Sequence, residues 1–193
     1  MGRNSGGNRG GGNRGVVSTK ESVAVRNIEM GIRNNKFETG VVIDKNGNEI
    51  LRVKGKRYKV EYSVNDIIKM KDNILTHNHP YAVGKKGVLS IGTSFSREDI
   101  DAAIVADVKE IRAVTPKYTF SLKRPKGGWG VSRYEMYSKY REVNSRVQKK
   151  LVSYIVDNKF SNVSKERAMV LESHLTIKEL AKYYGWGYSK RKG

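Results

Sequence analysis

The chain contains three histidines, and two of them stand two apart in Thr76-His77-Asn78-His79-Pro80. Residues i and i+2 of a strand project to the same face, so two imidazoles at this spacing converge on one cation, and a following proline ends the strand at an open rim. Cysteine is absent, which excludes disulfides, thiolate zinc sites and cysteine nucleophiles and restricts metal ligands to His, Asp and Glu. A third donor must be brought back by the fold, and a catalytic site keeps a water in the fourth position. The best third ligand is Asp99, in Ser94-Phe95-Ser96-Arg97-Glu98-Asp99-Ile100. Ser96-x-x-Asp99 also reads as a helix N-terminal capping box, and a carboxylate can cap and ligate at once. An isolated histidine pair lines a loop more readily than it holds an ion; the serine and aspartate downstream favour the ion.

This order of residues resembles the JAB or MPN-type metallopeptidases, whose motif is a glutamate on an early strand, then His-x-His-Pro, then Ser-x-x-Asp. The closest look is to JAB-like domains of phage-associated proteins. The resemblance covers roughly Phe37 to Leu122. It implies that His77, His79 and Asp99 hold Zn2+, that Ser96 hydrogen-bonds the tetrahedral intermediate, and that Glu38, in Glu38-Thr39-Gly40-Val41, is the general base. Two departures stand out. A long, basic, glycine-rich insert with Lys85 and Lys86 separates Pro80 from Ser96, and Glu38 is assigned by order, with Glu49 and Glu61 as substitutes on neighbouring strands. The letters His-Asn-His also suggest an HNH nuclease, but those enzymes spread their residues over a hairpin and a following helix. Here the triplet is contiguous, and His174 lies far away as a structural residue.

The elements that must position these residues follow from periodicity. Ser18 and Glu21 match a capping box that opens a helix with Val25, Ile28 and Ile32 on one face. Val41–Ile43, Ile50–Val53 and Tyr58–Tyr62, punctuated by Asn46-Gly47 and Gly55-Lys56, predict an antiparallel meander. Ser63 to Asp66 opens a short helix through Met70, Asn73–His77 reads as a strand, and a glycine-rich loop runs from Tyr81 to Thr93. Ser96 then opens a helix with Ile100, Ile104, Val108 and Ile111 on one face, and strands follow at Ala113–Thr115 and Tyr118–Leu122. Beyond Trp129 a capping box at Ser132 and Glu135 opens a long helix with a stripe of Met136, Tyr140, Val143, Val147 and Leu151. A second helix runs from Ser164 to about Tyr184, with a break near Leu175-Thr176 and a stop at Gly185. The expected fold is α+β: a mixed or antiparallel JAB-like sheet with packed helices and a C-terminal helical extension. The expected divisions are an arm at 1–15, a core at 16–128, the extension at 129–187 and a basic tail at 188–193.

Lysine and arginine total 38 against 19 acidic residues, a formal net charge of +19. Such a surface draws polyanions, nucleic acid first among them. The arm is built from Gly, Asn and Arg3, Arg9 and Arg14; with the tail's Lys190, Arg191 and Lys192 it forms the expected nucleic-acid contact, with Lys123, Arg124 and Lys126 next in line. No apolar run reaches the length of a membrane span and no signal-peptide core precedes the arm. The expectation is therefore a soluble protein of the cytoplasm, a host cytoplasm or a phage virion. The expected function is a zinc-dependent peptidase or isopeptidase with a protein substrate. The alternative is a non-enzymatic nucleic-acid-associated or virion protein whose metal holds the fold.

Overall fold

The computed structural model describes residues 18–56, 59–80, 93–157 and 162–193, the side chains of 162–167 and 169 excepted. The arm over 1–15, Tyr58 and the glycine-rich loop from Tyr81 fall outside the described residues. The first helix, α1 (Lys20–Ile32), is capped by Thr19, whose side chain accepts from Ser22 N. Ser18 is not the cap, because Glu21, its expected partner, is drawn instead to Lys109 Nζ at 2.7 Å.

A hairpin follows: β1 (Thr39–Ile43) and β2 (Glu49–Lys54) pair antiparallel. The Asn46-Gly47 turn has Gly47 at φ +86°, where a side chain would be strained. The expected third meander strand is absent from residues 59–62. A strand has two hydrogen-bonding edges, and β1 spends its second on β3 (Ile74–Asn78), which leaves β2 at the sheet edge. Between β2 and β3 lies α2 (Val64–Met70), opened by the full Ser63/Asp66 capping box.

From β3 the chain crosses through α3 (Arg97–Val105) to β4 (Glu110–Val114), which runs parallel to β3, and then turns to β5 (Tyr118–Lys123). The expected longer helix ends at Val105, because Asp107 takes a left-handed conformation at φ 47°. Ile111 is therefore a strand residue, and β4 begins three residues earlier than its expected start at Ala113. The helices α4 (Arg133–Asp157) and α5 (Asn162–Tyr184) follow, with Ser132 and Glu135 exchanging hydrogen bonds at the start of α4. The expected break near Leu175-Thr176 does not occur. Thr176 is buried and its hydroxyl donates to Asn144 Oδ1 of α4, so a β-branched polar residue is satisfied across the helix pair. Gly185, at φ 71°, stops α5.

The basic tail is not a free tail. Gly187–Lys192 forms a sixth strand, β6, antiparallel to β5, and completes a mixed sheet of order β2-β1-β3-β4-β5-β6. Tyr188 and Lys190, two apart on the strand, share one face: Tyr188 packs on the core and Lys190 lays its ammonium over the Tyr118 ring at 4.1 Å. Cationic residues on an exposed edge also discourage pairing with other chains.

The sheet separates two apolar layers. On one face α1 packs Val25 and Ile32 against Val41, Ile43, Ile74 and Val114. On the other, Val42, Leu75, Ile111, Phe120 and Leu122 meet Phe95 and Ile100 together with Met136, Val143, Val147 and Leu180 of the long helices. The helices beyond Trp129 thus share one core with the sheet. The fold is α+β, and β1 is buried along its whole length because both its faces are covered.

Candidate metal centre

His77 lies on β3, the central strand between β1 and β4, and the strand's alternation divides its side chains. Thr76 faces α1, where its hydroxyl donates to Glu29 Oε1 at 3.2 Å. His77 faces the opposite layer, beside Phe95, and is only 4% exposed. His79 continues that face one step past the strand, its backbone N–H still held by the Val114 carbonyl. The two Nε2 atoms lie 2.9 Å apart.

The middle residue has a different task. Asn78 is fully buried; its Oδ1 accepts Thr39 N–H at 2.7 Å and its Nδ2 donates to the carbonyls of Asn35 and Phe37. This clamps the segment leading into β1, and Glu38 lies inside that segment. Gly40 pairs with His77 across the ladder, so extending the register by two sets Glu38 opposite His79 and on the same face. Glu38 feels the site electrostatically: burial raises its pKa, the two histidines lower it, and Asp99 raises it.

Asp99 arrives from the first turn of α3. Its Oδ2 accepts from Ser96 N at 2.7 Å and Ser96 Oγ at 2.8 Å, and its own N–H donates back to Ser96 Oγ. The same carboxylate reaches the histidines, with Oδ1 3.3 Å from His77 Nε2 and Oδ2 3.6 Å from His79 Nε2. The residue that caps α3 is therefore also the one that faces both histidines. Burial pushes the Asp99 carboxyl upward, but the two imidazoles outweigh it and hold the group well below the ordinary carboxylate range. For His79 the balance mirrors this: burial lowers the pKa, while Asp99, the Thr93 carbonyl and Glu38 raise it above the ordinary value.

The donor set fits a cation. His79 Nδ1 lies 3.0 Å from the Thr93 carbonyl oxygen, which can only accept, so Nδ1 carries the proton. In the neutral ring this leaves a lone pair on Nε2, aimed at His77 Nε2 and Asp99. Nitrogens at this separation need a proton or a cation between them. His77, His79 and Asp99 form a group that could hold a metal ion, with one ligand atom from each and all within 4.8 Å of one another. Among the described residues it is the one such group of three or more, and it offers three ligand atoms.

Other expected residues lie elsewhere. Glu49 is engaged with Arg52 on β2, and Glu61 with Lys59. His174 sits on α5, its Nδ1 2.9 Å from the Tyr188 hydroxyl. Arg3, Arg9 and Arg14 lie outside the described residues, whereas Lys190, Arg191 and Lys192 belong to β6. Arg124 is tied to Asp72 and Asp107, and Lys123 lies 3.6 Å from Glu110.

One residue beside the site was missed by sequence reasoning. A Cβ built on Gly40 would run into the Tyr62 hydroxyl, so that hydroxyl lies against β1 next to His77. Burial raises the Tyr62 pKa, and the nearby Asp99 and Glu38 carboxylates raise it further. Among the described residues the phenol has no hydrogen-bond partner. The only sequence signal was Gly40 itself, a glycine inside a strand, which marks close approach of another group.

No family model, curated protein or solved structure matches this chain.

Proposed function

We propose that the chain is a zinc-dependent hydrolase of peptide or isopeptide bonds, of the kind the JAB-like motif implies. The observation that carries this reading is the convergence of His77, His79 and Asp99 on one point, with Glu38 on the same face of the sheet. Zinc held by these three donors would supply Lewis acidity and a water of lowered pKa.

The protein's own groups divide the remaining work. Glu38 accepts the proton of the attacking water and returns it to the leaving amine, a task suited to a carboxylate whose pKa is raised by burial. Thr93 fixes the His79 tautomer through its carbonyl, and Asn78 fixes the strand entry that carries Glu38. The family template gives the oxyanion to Ser96, but its hydroxyl donates to Asp99 at 2.8 Å. Serving an oxyanion therefore requires Ser96 to release that bond, leaving the backbone N–H of Ser96 to hold Asp99. The Tyr62 O–H carries no such commitment and is the better-placed donor to the charge that develops on the scissile carbonyl.

The alternative, a metal that only holds the fold, calls for a fourth protein ligand, since structural zinc sites are closed; the described residues offer three. The deciding experiment measures zinc per chain, then hydrolysis of an unfolded protein and of a lysine-branched isopeptide by wild type and Glu38→Gln. Stoichiometric zinc in both, with hydrolysis in wild type alone, supports the proposal. Zinc in both without hydrolysis of either substrate by wild type refutes it.

A further inference from the structure

The cationic residues of β6 do not stand alone. Lys190 forms one wall of a cavity of about 490 Å³ between α5 and β6, lined also by His174, Lys178, Lys182, Trp186 and Tyr188. Among the described residues no carboxylate lines it. The nearest acids on α5 turn away: Glu179 pairs with Arg146 and Lys150 of α4, and Glu172 accepts from Gln148. Lys178 and Lys182 stand four apart on the helix, a like-charge spacing that destabilises it unless an anion intervenes. Lys190 is held in place, its ammonium 4.1 Å from the centre of the Tyr118 ring and 5.8 Å from that of Phe120. Beneath them the Tyr188 hydroxyl bridges His174 Nδ1 and Ser94 Oγ, each at 2.9 Å, giving the cavity a fixed polar floor. His174 registers the uncompensated charge: burial lowers its pKa, and Lys190 and Lys178 lower it further.

We infer that this cavity binds the phosphates of a single-stranded nucleic acid. Three ammonium groups on two elements, without acids, complement consecutive phosphates along a strand. A single small phosphate would call for convergent, buried donors, and Lys178 and Lys182 are exposed. A chain of net charge +19 also gains most from a polyanion, because each neutralised phosphate releases counterion. The concave shape admits a flexible strand and not the convex face of a duplex. The cavity shares no lining residue with the metal centre, so this inference is independent of the hydrolase reading.

The test is fluorescence anisotropy of a labelled oligothymidylate with the full chain over a range of salt. Lys178→Glu/Lys182→Glu should raise Kd at least about tenfold and flatten the salt dependence by about 1.4, from about 0.7 per lost contact to a single strand. Lys36→Glu/Lys45→Glu changes the net charge equally on exposed residues outside the cavity and should shift Kd by less than about threefold. Equal losses in the two double variants would assign binding to overall charge and overturn the proposal, as would no binding by wild type. Full displacement of the oligonucleotide by millimolar inorganic phosphate at constant ionic strength would make the cavity a small-anion site and overturn it as well. Unchanged thermal melting of Lys178→Glu/Lys182→Glu is the control for folding.

Discussion

The Tyr62 hydroxyl occupies the volume into which a Cβ on Gly40 would project. Gly40 pairs directly with His77, so this contact sets the distance between a phenol and the candidate metal centre.

Gly40→Ala should therefore destabilise the protein by roughly 1–3 kcal/mol, the usual cost of forcing an atom into a packed position. Tyr62→Phe alone should change stability by less than about 1 kcal/mol, because its hydroxyl has no described partner to lose. The double variant should recover much of the Gly40→Ala loss, since removing the hydroxyl frees the space. Urea unfolding of the four proteins measures this coupling. If zinc-dependent hydrolysis is established, Tyr62→Phe should lower kcat about 100-fold while zinc content stays unchanged.

On the other face of β3, Arg112 donates to Glu29 at 2.5 Å and to Glu110 at 2.6 Å, and Glu29 also accepts from Thr76. Both carboxylates are only 5% exposed. Burial pushes the Arg112 pKa down, but the two glutamates outweigh it and raise it. Arg112→Leu would leave buried Glu29 without a cation among the described residues and Glu110 with only Lys123 at 3.6 Å, and should cost about 3 kcal/mol, read by urea unfolding. Glu29→Gln/Glu110→Gln added to that variant should recover part of the loss, because the stranded charge is then gone.

Acidity should separate the metal-free and metal-loaded proteins. The Asp99 pKa is depressed, so its stabilisation is present above the unfolded value of about 3.9 and is lost as pH falls through the folded value. The His79 pKa is raised, so its stabilisation is present below the unfolded value of about 6.5 and is lost as pH rises through the folded value. With a chelator present, the melting difference between wild type and His79→Ala should be largest between about pH 4 and 6.5 and shrink above it. Stabilisation by added zinc should run the other way and grow with pH, because protons compete for the same nitrogens. Melting curves across pH, with chelator and with zinc, measure both trends.

The centre was legible because its parts are local. His77 and His79 share a face by strand alternation, and the Ser96/Asp99 box is written in four consecutive residues; the Ser63/Asp66 and Ser132/Glu135 boxes were legible for the same reason. What remained hidden depends on pairing at a distance. Nothing near Tyr62 announces that it folds onto Gly40, nor that β1 joins β3 in place of a third meander strand. Helix α3 stops at Val105, ahead of a left-handed Asp107 and without a glycine or proline, so apolar residues at helical spacing run on falsely to Ile111. In β6 the shared face of Tyr188 and Lys190 is masked by charge, because a lysine that covers an aromatic ring reads as a solvated one.

The strongest test of the centre separates the two duties of Asp99. His77→Ala and Asp99→Ala should both lose zinc, since each removes a donor from a group that offers three. Asp99→Ala also removes the acceptor of the Ser96 N–H and hydroxyl, and loss of the box alone costs about 1 kcal/mol. Asp99→Asn isolates ligation. An asparagine oxygen can still accept from Ser96, so the metal-free variant should melt close to wild type, whereas a neutral amide is a poor zinc ligand and affinity should fall. Glu38→Gln should behave in the opposite way, keeping zinc and fold while losing hydrolysis, because an amide of the same size cannot accept the proton. Titration with zinc, melting with chelator and a hydrolysis assay on each variant give the three readouts. Full zinc occupancy in both Asp99 variants would reduce the residue to a helix cap and remove the main support for a JAB-like site. Unimpaired hydrolysis by Glu38→Gln would leave the site intact and move the base to another residue.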